Sequence, residues 1–134
     1  MAIDYGERRI GLAMSDPLRM IASPAGHILR RAGKRPPIAE ICRRAQASEV
    51  GEFVVGLPLD GDGNETPRCL EVRGIADQIT KRTGLPVRLL DERFTTAAAL
   101  RAVRAMGGST EQRKGDVDAL AATVLLQHAL SLPS

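Results

Sequence analysis

Four acidic residues stand in or beside apolar segments scattered over nearly the whole chain. Asp4 lies in Ile3-Asp4-Tyr5-Gly6, Asp91 and Glu92 close the run Val87-Arg88-Leu89-Leu90, and Asp118 opens the apolar stretch from Val117 to Leu132. A charge placed in apolar surroundings is costly unless something pairs with it. Carboxylates at three such places have one economical explanation, which is that they converge and share divalent cations. Carboxylate and water ligands select hard cations, Mg2+ or Mn2+. Two such ions activate a water and stabilise the leaving oxygen during phosphodiester cleavage. Taken singly, each acid also has a bland role. Asp4 suits a cap for the Gly6 turn, Asp118 a helix N-terminal acid, and Glu92 an ion pair with Arg93.

The elements that must position these acids follow from periodicity and breakers. Residues 2–5 read as a strand, Gly6 to Arg8 as a tight turn, and Arg9 to Ser15 as a second strand, forming a hairpin. A third extended piece runs about Ile21 to Leu29. Pro36 and Pro37 suit a helix start, and Ile38, Ile41, Cys42 and Ala45 then recur at helical spacing. Glu52 to Val55 is a buried strand ended by Gly56-Leu57-Pro58. Thr66-Pro67 is an N-cap with a first-turn proline, and Cys69, Val72, Ala76 and Ile79 carry that helix to Gly84. Residues 87–91 form the last strand. A helix over Ala97–Met106 is capped by Thr95 or Thr96, Gly107-Gly108-Ser109 breaks it, and a closing helix shows Val117, Leu120, Ala121, Val124, Leu125 and His128 on one face.

The order β-β-β-α-β-α-β-α predicts an α/β protein with a five-stranded mixed sheet and helices on both faces. That is the element order of the ribonuclease H-like fold. In it the first strand is central, and the fifth lies two strand spacings away, roughly 9–10 Å. Glu reaches further than Asp, which favours Glu92 over Asp91, and strand alternation turns one of the two away. The dipole of the last helix would favour a carboxylate near its start, at Asp118.

The chain has 134 residues, which predicts a single domain over 1–134. Net charge is +3, but six basic residues and one acid between Arg30 and Arg44 leave +5 there and −2 elsewhere. A basic patch beside an acidic pocket suits a polyanion. Cys42 and Cys69 have neither metal-ligand nor disulfide spacing and read as small core residues. No apolar run reaches membrane-spanning length and no signal peptide opens the chain, so a cytoplasmic protein is expected. One Tyr, two Phe and no Trp argue against an RNA-binding sheet built on base stacking. Asp60-Gly61-Asp62-Gly63-Asn64 imitates a calcium loop, but Glu65 replaces the required glycine and Pro67 interrupts it.

The pieces Asp4-Tyr5-Gly6, Arg9-Ile10-Gly11-Leu12-Ala13, Ser15-Asp16, Val54 to Leu59, Asp91-Glu92-Arg93-Phe94-Thr95-Thr96 and Val117 to Ala122 occur in one order along the chain. In this the chain resembles the YqgF/RuvX family, Holliday-junction-resolvase-like proteins also linked to maturation of precursor 16S ribosomal RNA. Asp91-Glu92-Arg93-x-Thr95-Thr96 is the most specific piece. The resemblance implies a nuclease with Asp4, Glu92 and Asp118 as catalytic metal ligands for Mg2+ or Mn2+. Its fourth strand ends Gly56-Leu57-Pro58 without the acid common in related ribonuclease H-like nucleases, so that role passes to the fifth strand. Asp116, two residues before Asp118, is a rival third ligand. Only three residues precede Asp4, fewer than family members carry, which implies a late start or a shortened first strand.

Around the acids, Arg9 suits a phosphate contact or an ion pair with Asp16. Arg93 suits a bidentate phosphate clamp or neutralisation of the acids. Thr95 is a helix cap first and a substrate contact second. Lys114 belongs to a Met106–Lys114 segment that suits a flap over nucleic acid. The leading expectation is an endonuclease on structured RNA or branched DNA, a monomer or a homodimer. A non-catalytic nucleic-acid-binding module is the rival. ATP binding, suggested by the Asp4-Tyr5-Gly6 to Gly11 spacing, would need a second domain that this length does not supply.

Overall fold

In the computed structural model the described residues are 1–6, 8–30, 35–91 and 111–132, with side chains of the last segment from 117 onward. The elements are β1 (Ala2–Tyr5), β2 (Arg9–Ser15), β3 (Ala22–Leu29), α1 (Ile38–Ala47), β4 (Phe53–Leu57), α2 (Pro67–Thr83), β5 (Val87–Asp91) and α3 (Glu111–Ser131). The helix expected over 97–106 lies outside the described residues.

The strands form one sheet in the order β3-β2-β1-β4-β5. The first three strands pair antiparallel, and β1, β4 and β5 run parallel. The expected five-stranded mixed sheet is therefore present. Alternation along the strands sorts side chains onto two faces. Ile3, Tyr5, Ile10, Leu12, Phe53 and Val55 pack under α1 and α2. Ala2, Ala13 and Val54 pack under Ala122, Leu125, Leu126 and Ala129 of α3. The α3 layer is thus built largely of alanines, so its backbone rides close to the sheet. Pro24 is tolerated in β3 because that strand is at the sheet edge.

Several expectations shift. Pro37 is the N-cap residue of α1, which begins at Ile38. Cys69 is fully buried as expected, whereas Cys42 is half-buried. The buried stripe of α3 runs through Asp118, Ala121, Ala122, Leu125, Leu126 and Ala129, while Leu120 and His128 face out. That helix is apolar nearly all round, so spacing alone does not select a face; the small side chains that permit close approach do. The basic segment is also partly neutralised. Glu40 accepts from both Arg43 and Arg44, which pull its carboxyl down to about 2, and Arg30 pairs with Glu71. Both α1 arginines lie on the sheet face opposite α3, and Arg31 and Lys34 lie outside the described residues.

Candidate metal centre

Asp4 is the third residue of β1 and faces α3, because it shares its side of the sheet with Ala2, Gly11 and Ala13. Its Cα partner across the β1–β2 ladder is Gly11. Helix α3 crosses this point so closely that a Cβ built on Gly11 would fall inside the Asp118 carbonyl. Asp4 and Asp118, 114 residues apart in sequence, therefore flank one glycine. Their exposures are 2% and 1%, so both carboxylates are buried, one on each element that meets at Gly11. Buried carboxylates of this kind call for compensating positive charge. Hard oxygen donors are what Mg2+ or Mn2+ requires, and the donor chemistry fits.

Asp118 is the eighth residue of α3, two turns beyond Glu111. A helix dipole acts mainly in the first turn, so a role for Asp118 as an N-terminal helix acid is excluded. Asp118 is buried beneath the helix, and the side chain of its rival Asp116 lies outside the described residues. Lys114 belongs to the helix rather than to a loop. The remainder of the expected flap, before Glu111, lies outside the described residues, as do Glu92, Arg93, Thr95 and Thr96.

Asp91 pairs in register with Leu57, whose side chain packs in the α1–α2 core. Parallel partners point the same way, so Asp91 occupies the face opposite Asp4. Among the described residues no group of three His, Cys, Asp or Glu side chains gathers at one point.

Arg9 also belongs to the Asp4 face and is only 5% exposed. The alternative ion pair with Asp16 is overturned. The two residues start and follow β2, roughly 23 Å apart at strand rise. The Asp16 carboxylate instead accepts from the backbone N–H groups of Met20 and Ile21, which holds its pKa below the ordinary value. The calcium-like loop is likewise a turn: Asp60 accepts from the N–H groups of Asp62 and Asn64.

Two further features of the site have roles that only the fold reveals. Gly11 carries a readable signal, since a glycine inside a strand marks close backbone approach. The second lies just beyond Asp4. Arg68, at the start of α2, donates to the Tyr5 carbonyl at 2.7 Å, and Arg30, after β3, donates to the Gly6 carbonyl at 2.8 Å. Arg30 also lies 4.3 Å from the Tyr5 ring centroid. Burial pushes the Tyr5 hydroxyl up to about 12, against the opposing charge of Arg30. Nothing local in the sequence links Arg30 or Arg68 to Tyr5.

Residues 1–132 match the family described as RuvX: Holliday junction resolvase. A protein of Kineococcus radiotolerans, named "Putative pre-16S rRNA nuclease", is 44% identical over 97% of this chain and 70% of its own length. A relative of the same name from Anaeromyxobacter is 39% identical over 95% of this chain and 92% of its own. Among solved structures, Thermus thermophilus RuvC in complex with a Holliday junction substrate superposes with a TM-score of 0.58 over 96% of this chain and 90% of that one, at 20% identity. That likeness establishes the ribonuclease H-like architecture. By sequence, the chain belongs to the RuvX family.

Proposed function

We propose that this protein is a metal-dependent endonuclease that hydrolyses phosphodiester bonds in precursor 16S rRNA during ribosome assembly in the cytoplasm. One observation carries the reading: Asp4 of the central strand and Asp118 of the last helix are both buried, and the Asp118 backbone carbonyl lies against Gly11, the cross-strand partner of Asp4. Glu92 is the proposed third ligand. Asp91 occupies the face opposite Asp4, and the family motif supplies its neighbour Glu92 as the acid for this role. Bound Mg2+ or Mn2+ would supply an activated water and a counter-charge for the leaving oxygen.

The chain's own residues hold and orient. Asp4 is fixed by the β1–β2 ladder and Asp118 by a helix seated on alanines, so neither carboxylate needs to reorganise when substrate arrives. Buried Arg9 supplies positive charge on the same face, and Arg93, Thr95 and Lys114 are the proposed contacts to nucleic acid. The name borne by the relatives, pre-16S rRNA nuclease, supports rRNA as substrate. Branched DNA is the second reading, favoured by the RuvC likeness; resolving a junction would require two such sites and hence a dimer.

Cleavage of an end-labelled precursor-rRNA fragment and of a four-way DNA junction, each with and without Mn2+ or Mg2+, tests both readings. Metal-dependent cutting of the RNA, lost in Asp4→Asn and Asp118→Asn proteins that still fold, is expected. Cutting confined to the junction would transfer the assignment to DNA. Full activity in either variant would refute the site.

A further inference from the structure

The paired length of β1 with β4 covers Ala2 and Ile3, so the carbonyls of Tyr5 and Gly6 lie beyond that ladder. Each accepts from a guanidinium delivered by a different element, Arg68 from α2 and Arg30 from the end of β3. Hydrogen bonds from charged donors are roughly twice as strong as neutral ones. The two arginines are tied together as well. Glu71, one turn after Arg68 on α2, accepts from Arg30 at 3.0 Å. The Arg30 backbone N–H donates to the Arg8 carbonyl at 2.7 Å, and the Gly6 N–H donates to the Arg9 carbonyl at 3.0 Å. The Arg30 plane over the Tyr5 ring closes the arrangement. The peptide units that carry the Tyr5 and Gly6 carbonyls, beginning one unit beyond the Asp4–Tyr5 peptide, are thereby held from the side of the sheet opposite α3.

We propose that Arg30 and Arg68 are positioning residues for Asp4, acting through the Tyr5 and Gly6 carbonyls to set where its carboxylate meets Asp118. This rests on the reading of Asp4 as a metal ligand. The physical basis is leverage: β1 has four residues, and releasing its end lets the Asp4 peptide tilt while the core beneath Ile3 stays packed. Groups that orient a ligand without touching the metal still govern affinity. An arrangement that only stitches α2 to the sheet would affect stability and leave affinity alone.

The chain offers a built-in reporter, because Tyr5 is its single tyrosine and tryptophan is absent. Mn2+ is titrated into the full chain and followed by quenching of Tyr5 fluorescence, with free Mn2+ counted by EPR as a second readout. Circular dichroism at the same temperature verifies that each variant is folded. Arg68→Gln is expected to weaken Mn2+ binding about tenfold, with Arg68→Lys recovering most of the loss through one carbonyl bond. Glu71→Gln, which frees Arg30 from its ion pair at a half-exposed position, is expected to weaken it in the same direction and decides the matter if Arg68→Gln does not fold. Asp4→Asn separates the two claims. Unchanged affinity there refutes Asp4 as a ligand, and the positioning claim falls with it. Lost affinity in Asp4→Asn with wild-type affinity in folded Arg68→Gln and Glu71→Gln overturns the positioning role alone.

Discussion

The Asp118 carbonyl rests on the α-carbon of Gly11, leaving no room for a Cβ between helix and strand. Gly11 is also the cross-strand partner of Asp4, so this one contact sets how near the two carboxylates come. The obstruction is backbone, which cannot swing aside as a long side chain would.

Gly11→Ala is therefore expected to force α3 away from the sheet. A destabilisation of at least about 2 kcal/mol should follow, as for other overpacked sites, with loss of nuclease activity in the fraction that still folds. Urea unfolding measures the first and the cleavage assay the second. Gly74→Ala is the contrast: its Cβ meets nothing within 4 Å in the middle of α2. It should gain about 0.5–1 kcal/mol, the ordinary helix benefit of alanine over glycine.

Asp91 ends β5, and the roles of Asp91 and Glu92 can be tested one residue at a time. Asp91 shares a face with Leu57 and should tolerate Asn with cleavage near the wild-type rate. Glu92→Gln is expected to reduce cleavage to the metal-free background. Loss of activity in Asp91→Asn with retention in Glu92→Gln would reverse the assignment.

The Met1 amine donates to the Glu52 carbonyl at 2.9 Å, and burial lowers its pKa from 8.0 to about 6, with Glu52 opposing and Arg19 reinforcing the shift. Between those values the unfolded chain keeps a proton that the folded chain has released. Stability should therefore rise with pH from 6 to 8, by about 2–3 kcal/mol at most. Denaturant unfolding of the chain with a free Met1 amine would show this slope. Acetylation of that amine should flatten it.

Tyr5 titrates in the opposite direction. Its folded pKa of about 12, raised from 10.0 by burial, means that its contribution to stability is complete below pH 10 and disappears as pH rises toward 12. With one tyrosine in the chain, absorbance near the tyrosinate band follows this group alone. Arg30→Gln should move the midpoint still higher, because the guanidinium charge favours tyrosinate. A midpoint near 10 in the folded protein would place Tyr5 in water.

Much of the fold was legible because it rests on short-range rules. Gly6 and Gly84, Pro67 and Pro86, and the change from alternating to helical apolar spacing mark the boundaries of β1, β2, β4, α2 and β5 within a residue or two. The candidate acids were legible for a related reason, since Asp4 and Asp118 are charges set in apolar runs and such charges need a partner. Their meeting point was not. It depends on which face of α3 packs inward, and that helix is apolar on nearly every side. Packing decided it: the alanines at 121, 122 and 129 are buried against the sheet, and the helix backbone comes down onto Gly11. The arginines that hold the end of β1 belong to the same class. Arg30 and Arg68 lie 24 and 63 residues from the carbonyls they serve. Composition and spacing determined the elements and the stock of charges, whereas long-range packing determined which of those charges share a site.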